Sequence, residues 1–157
     1  MAQVTGCELC AAGESAAWTE VVADSHLRVV RVLDAPEFPA FYRVIWRDHV
    51  AELSDLSDAD RAHCLGAVVA VERVLRDELA PTKINLAALG NMVPHLHWHV
   101  IARFDWDSHF PQPIWGARQR EPSPPAVARL RQSLNKLDEL IRCSVETMTR
   151  GLGSIGG

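Results

Sequence analysis

Apolar and polar positions along the chain fall into short alternating runs and two longer helical patterns. Leu27 to Leu33 is β-branched and half alternating, which predicts a strand. Asp34 to Pro39 follows as a loop. Ala40 to Trp46 predicts a second strand, with Phe41, Arg43 and Ile45 on one face and Tyr42, Val44 and Trp46 on the other. Ser57-Asp58-Ala59-Asp60 has a hydroxyl cap and acid in the first turn of a helix. Leu65, Val68, Val71, Leu75 and Leu79 continue it at helical spacing, and Pro81 closes it. Lys83 to Leu89, ended by Gly90, and His95 to Phe104 predict a third and a fourth strand. The stretch from Phe104 to Pro125 is irregular. Pro125 suits the first turn of a last helix, about 125–147, whose stripe is Val127, Leu130, Leu134, Leu137 and Ile141. Residues 151–157 are expected to form a flexible tail. Strands, a helix, more strands and a final helix imply an α+β fold with a mainly antiparallel sheet, in a single domain over 1–150.

Composition changes this picture little. A chain of 157 residues with 48% hydrophobic and 23% charged residues suits one domain with a proper core. The formal net charge of -4 comes with no basic stripe, so neither a nucleic-acid polymer nor a membrane is an expected partner. Any bound anion must be met by a local site. The N-terminal residues lack a basic segment followed by an apolar one, and no apolar stretch reaches spanning length. The expected location is therefore the cytoplasm, where Cys7, Cys10, Cys64 and Cys143 are thiols or metal ligands before they are disulfides.

The chemistry concentrates in His95-Leu96-His97-Trp98-His99. Strand alternation sets His95, His97 and His99 on one face, about 6.5 Å apart at successive backbone positions, with Leu96, Trp98 and Val100 turned to the core. Neutral imidazole is nucleophilic near neutral pH, and protonated imidazole neutralises phosphate charge. One histidine as nucleophile and another as phosphate holder would split a displacement into two steps through a covalent intermediate. A row of three histidines could instead hold Zn²⁺ with an open fourth position, as in zinc-dependent hydrolases. A nucleotide-binding protein without turnover is a third reading.

His95-Leu96-His97-Trp98-His99-Val100-Ile101 resembles the signature of the histidine triad (HIT) family, three histidines alternating with apolar residues. Ala102-Arg103 is similar to the Pro-Arg that commonly follows it. The resemblance implies about five antiparallel strands with two main helices, usually as a homodimer. It also implies hydrolysis or transfer at the α-phosphate of a nucleoside polyphosphate, dinucleoside polyphosphate or phosphoramidate, through a nucleotidyl-histidine. His95, His97 and His99 become the expected catalytic set, with His97 as nucleophile and His99 on the phosphate. Asn85 and Asn91 are the expected substrate contacts. Gly90-Asn91-Met92-Val93 departs from the family's Gly-Gln-Ser/Thr-Val, and Met92 replaces a hydroxyl that assists the leaving group in some members.

Cys7-Glu8-Leu9-Cys10 has the spacing with which two thiolates grip one zinc ion. His26, His49, His63, His95 and His109 are the available partners. Resemblance to HIT relatives with such a site implies the ligand set Cys7, Cys10, His49 and His95 around a structural zinc, with no organic cofactor. Trp106, Trp115, Arg118 and Arg120 could supply a base wall and a phosphate contact. Phe41 and Ile45 are the alternative lining, and Asp105 and Asp107 are expected turn residues.

Overall fold

In the computed structural model, which describes residues 3–11 and 15–153, the patterned segments form a five-stranded antiparallel sheet with two long helices. The elements are β1 (Trp18–Ala23), β2 (Leu27–Val32), β3 (Phe41–Trp46), α1 (Asp58–Leu79), β4 (Lys83–Ala87), β5 (His97–Arg103) and α2 (Leu134–Gly153). The strand order is β1-β2-β3-β5-β4, with every neighbouring pair antiparallel. The histidine-bearing β5 therefore has a partner on each side.

Strand β1 escaped the alternation pattern for a local reason. Its pairing with β2 shifts between Glu20 and Val22, and Val21 and Val22 are both buried. A bulge of this kind breaks the period of two on which a strand is recognised. Helix α1 begins as expected, with the Ser57 hydroxyl accepting the Asp60 amide at 3.1 Å. It ends in Ala80, in the left-handed region at φ 46°. Its buried stripe runs through Cys64, Ala67, Val68, Val71, Leu75 and Leu79, whereas Leu65 faces out.

The last helix starts later than its apolar spacing suggests. Ala126–Arg129 forms a short 3-10 turn, and Leu130 is extended at ψ 140°. The α-helix begins only at Leu134. Ser133 caps it, its hydroxyl accepting the Lys136 amide at 3.3 Å. Val127, outside the true helix, is exposed, while Leu137, Ile141 and Val145 are buried at intervals of four. The helix runs on through Gly153, beyond the point where a tail was expected, and the remaining positions of that tail lie outside the described residues.

Helices α1 and α2 cover one face of the sheet. Leu27, Val29, Tyr42, Val44, Trp46, Leu96, Val100 and Ala102 join Val71, Leu75, Leu137 and Ile141 in one core. Asp138 of α2 also accepts hydrogen bonds from Tyr42 Oη at 2.8 Å and Arg31 Nε at 3.0 Å. The opposite face has two small clusters, Leu9, Trp18, Val30 and Ile45 on one side and Val32, Phe38, Phe41 and Ile101 on the other. His97 and His99 share that face, their register partners being Ile45 and Arg43.

Candidate active site and metal cluster

His97 and His99 project from alternate positions of β5, and their rings lie 4.9 Å apart. His97 Nδ1 lies 2.6 Å from the His95 carbonyl oxygen. A carbonyl can only accept, so Nδ1 carries the proton and Nε2 keeps its lone pair. No described residue hydrogen-bonds His97 Nε2, and the ring lines an open pocket. Burial pushes the His97 pKa below the usual imidazole value, partly offset by the His95 carbonyl, and the Arg43 charge pushes the same way. His97 is thus held as a neutral imidazole with Nε2 free. His99 is pushed further, to about 3, by burial first and then by His97 and Arg43. Phe41 and Trp115 pack against it at ring distances of 5.4 and 5.1 Å. It is neutral at ordinary pH, so it offers hydrogen bonds and no positive charge.

The expected row of three histidines is broken. His95 precedes β5, and its backbone turns, the His95 amide donating to the Val93 carbonyl at 2.8 Å. The His95 ring is fully buried and faces the cysteine pair. Its Nε2–H donates to the Trp46 carbonyl at 2.6 Å, which leaves Nδ1 as the lone-pair nitrogen. That nitrogen is 3.4 Å from Cys7 Sγ and 3.5 Å from Cys10 Sγ, and His49 Nδ1 is 3.3 Å from Cys10 Sγ.

Cys7, Cys10, His49 and His95 offer four ligand atoms within 4.8 Å of one another. Zn–S bonds of about 2.3 Å and Zn–N bonds of about 2.0–2.1 Å at tetrahedral angles separate S and N by roughly 3.5 Å, close to these distances. Two thiols and two imidazoles are zinc donors by type. The Trp46 carbonyl on His95 is also the outer hydrogen bond that fixes a ligating imidazole's tautomer. The residues therefore fit a closed tetrahedral zinc site. Among the described residues this is the one group of three or more such donors within metal-holding reach, and His97 and His99 are not in it. The other candidate ligands are engaged elsewhere: His63 with Asp24 at 2.7 Å, and His109 with the Ser108 hydroxyl at 2.8 Å. His26 packs on Trp46.

The pocket in front of the histidines has a volume of about 400 Å³ and is bordered by Leu9, Arg43, Asn91, His97, His99 and Trp115, among others. Asn91 and Met92 stand exposed on its rim, in a turn where Gly90 takes a positive φ of 66°. Asn85 shares the sheet face but not the pocket lining. Its Oδ1 accepts from Arg103 Nη1 at 2.7 Å, leaving Nδ2 without a partner among the described residues.

Arg103 and Asp107 form a buried pair that sequence spacing did not reveal. Arg103 Nε donates to Asp107 Oδ2 at 2.7 Å, with the two side chains 1% and 2% exposed. Asp107 was an expected turn residue, and it does turn the chain, accepting the amides of Phe104, His109 and Phe110. Burial raises its pKa, but the Arg103 hydrogen bonds and these amides outweigh that and hold it below the usual carboxylate range. The two arginines expected near a phosphate are occupied. Arg118 pairs with Glu37 and Glu121, and Arg120 donates to the carbonyls of Asp107 and Phe110. Trp106 stacks on Phe104 under Arg129 and does not line the pocket.

An antiparallel sheet backed by helices, with a free-Nε2 histidine on its open face, defines a histidine-triad type of protein. The HIT domain profile matches residues 14–106, and the chain belongs to the HIT family. A histidine triad protein from Bradyrhizobium japonicum superposes with a TM-score of 0.62 at 26% identity, over 84% of this chain and 90% of that one. One from Marinobacter aquaeolei gives a TM-score of 0.65 at 23% identity, over 85% and 92% of the two chains, a likeness of fold. An AP-4-A phosphorylase of Mycobacterium tuberculosis is 29% identical over 89 residues, 53% of this chain and 46% of the relative. The aligned part of the chain thus spans about half the length of the curated relatives it matches.

Proposed function

We propose that the protein is a nucleotidyl hydrolase or transferase that uses His97 as its nucleophile. The observation that carries the reading is the His97 tautomer, with Nδ1–H on the His95 carbonyl and Nε2 unprotonated in the pocket. The substrate is a nucleoside polyphosphate, dinucleoside polyphosphate or nucleoside phosphoramidate; the resemblance to an AP-4-A phosphorylase supports this class. His97 Nε2 forms a bond to the α-phosphorus, and the bond from that phosphorus to the leaving group breaks. Water, or another acceptor, then cleaves the P–N bond and releases the nucleoside monophosphate unit. Neutral His99 serves as a hydrogen-bond donor to phosphate oxygens, Asn91 borders the entrance, and Asn85, on the same sheet face outside the pocket lining, holds Arg103. Donors fixed before substrate arrives stabilise the charge that develops in each step.

Cys7, Cys10, His49 and His95 would hold a structural zinc. When bound, the ion supplies cross-linking, because four protein ligands leave no position for water or substrate. The role of these four residues is positional. They tie the N-terminal segment to the sheet and hold the backbone whose carbonyl sets the His97 tautomer. Family membership supports a homodimer as the working assembly, which sedimentation would read directly.

A panel of adenylated and guanylated compounds, assayed with the wild type and with His97→Gln, tests the reading. Release of nucleoside monophosphate by the wild type and its loss in a folded His97→Gln variant are expected. Undiminished hydrolysis by the variant refutes the role given to His97.

A further inference from the structure

On the open sheet face, β3 contributes Arg43 directly opposite His99, one alternation from Ile45 opposite His97. The flanking positions of the same face are apolar: Phe41 and Ile45 are fully buried. A guanidinium in such a place ordinarily has a partner, since a buried donor without one carries a desolvation cost. Arg43 Nε is buried and has no hydrogen-bond partner, and none of the ion pairs among the described residues includes this side chain. Asp34 and Glu8 are the acids that act on it, and both do so from beyond ion-pair distance. The Phe41 ring lies against it, the guanidinium carbon 5.6 Å from the ring centroid.

Arg43 is also the one Lys or Arg among the described residues bordering the histidine pocket. The nearby arginines are occupied. Arg28 donates to the Leu9 carbonyl at 2.8 Å, and Arg103 makes four hydrogen bonds to Asp107, Asn85 and Gln112. The His97 and His99 rings border the same pocket. Glu8 also borders the pocket, so Arg43 is the positive charge and Glu8 the negative one that an entering anion meets, and Arg43 stands next to the imidazole that would attack it.

We propose that Arg43 is the phosphate-binding cation of this pocket, and that it makes the site select phosphorylated nucleosides over nucleosides. The proposal rests on the nucleotide reading above. The guanidinium holds oxygens of the phosphate whose phosphorus faces His97, supplying the charge that His99 does not carry. Its planar set of donors suits a phosphate better than the point charge of a lysine. With Nε buried and the Phe41 ring lying against it, the guanidinium is already partly desolvated before an anion arrives.

Equilibrium binding separates this role from a structural one. AMP and GMP, and adenosine and guanosine, are titrated by calorimetry into the intact wild type, Arg43→Met and Arg43→Lys, with circular dichroism to verify folding. The wild type is expected to bind at least one monophosphate more tightly than its nucleoside. Arg43→Met should weaken that monophosphate by roughly 10- to 100-fold, the range for hydrogen bonds to charged groups, and leave the nucleoside unchanged. Arg43→Lys should fall between, and it carries the test if the Met variant does not fold. Unchanged monophosphate affinity in the variants overturns the role of Arg43 while the nucleotide reading stands. An equal loss for monophosphate and nucleoside places the arginine on the nucleoside and also overturns the proposal. A wild type that binds neither ligand overturns the nucleotide reading itself, and this inference with it.

Discussion

Replacing Arg103 by Met tests whether the buried Arg103–Asp107 pair supports the site. The guanidinium makes four hydrogen bonds: to Asp107 Oδ2 at 2.7 Å, Asp107 Oδ1 at 3.0 Å, Asn85 Oδ1 at 2.7 Å and the Gln112 carbonyl at 2.8 Å. Methionine keeps much of the stem that packs near Phe38 and Phe110, so the change isolates the polar contacts. Removing one member of a buried ion pair costs about 3–5 kcal/mol, because the other charge remains without compensation. Asp107 keeps three backbone amides at 2.7 to 3.2 Å, which favours the lower end, about 3 kcal/mol. For a chain of this size that corresponds to a Tm lower by roughly 6–12 °C. Urea titration followed by far-UV circular dichroism reads the free energy directly. A second substitution, Asp107→Asn, placed on top of Arg103→Met should recover part of the loss, because it removes the orphaned charge and keeps an amide oxygen for the His109 and Phe110 amides. A loss below about 1 kcal/mol with an unchanged denaturant slope, the scale of an exposed pair, would refute the reasoning.

Three further outcomes follow from the same geometry. Metal analysis of protein purified without chelator should give one zinc per chain, lost in Cys10→Ala; zinc at a hundredfold excess over its Kd should stabilise the wild type by about 2.7 kcal/mol and the variant not at all. His99, with its pKa pushed down to about 3, binds its proton more readily in the unfolded chain, where the value is about 6.5. Its neutral form therefore contributes stability that is present above pH 6.5 and lost as pH falls toward 3, so the stability difference between wild type and His99→Gln should shift by about 2 kcal/mol against the wild type between pH 7 and 5. Parallel acid titration of the two proteins would contradict that sign. Leu137→Ala, at a fully buried position of α2, should lower stability by about 2–5 kcal/mol, whereas a neutral effect would mean that the helix is not part of the core.

How much was legible along the chain depended on how local each cause was. Strand β3 is a compact run of aromatic and β-branched residues, and α1 carries its own cap in Ser57, so both could be read from adjacent residues. The bulge in β1 hid a strand by burying Val21 and Val22 together. An apolar spacing that spans 3-10 turn, extended residue and helix made α2 look longer at its start than it is, because spacing alone does not register the break at Leu130. The signature put His97 and His99 side by side, as they are on the pocket, but alternation also placed His95 in their row. Its backbone leaves the strand there, and the side chain joins Cys7, Cys10 and His49. The Arg103–Asp107 pair depends on a loop folding back over β5, which no local pattern records. Arg43 did leave a signal: a charged residue between Phe41 and Ile45 on one face of an apolar strand, with no obvious surface to point to.

Nucleotidyl transfer through His97 requires a covalent bond between this residue and a nucleotide. Intact-protein mass spectrometry after rapid quenching at alkaline pH, with a dinucleoside polyphosphate as substrate, measures that bond directly. A mass increase of one nucleoside monophosphate unit is expected, labile to acid, mapped to the peptide containing His97 and absent from His97→Gln. Wild-type turnover with no such adduct under single-turnover conditions, or an adduct retained by His97→Gln, would contradict it.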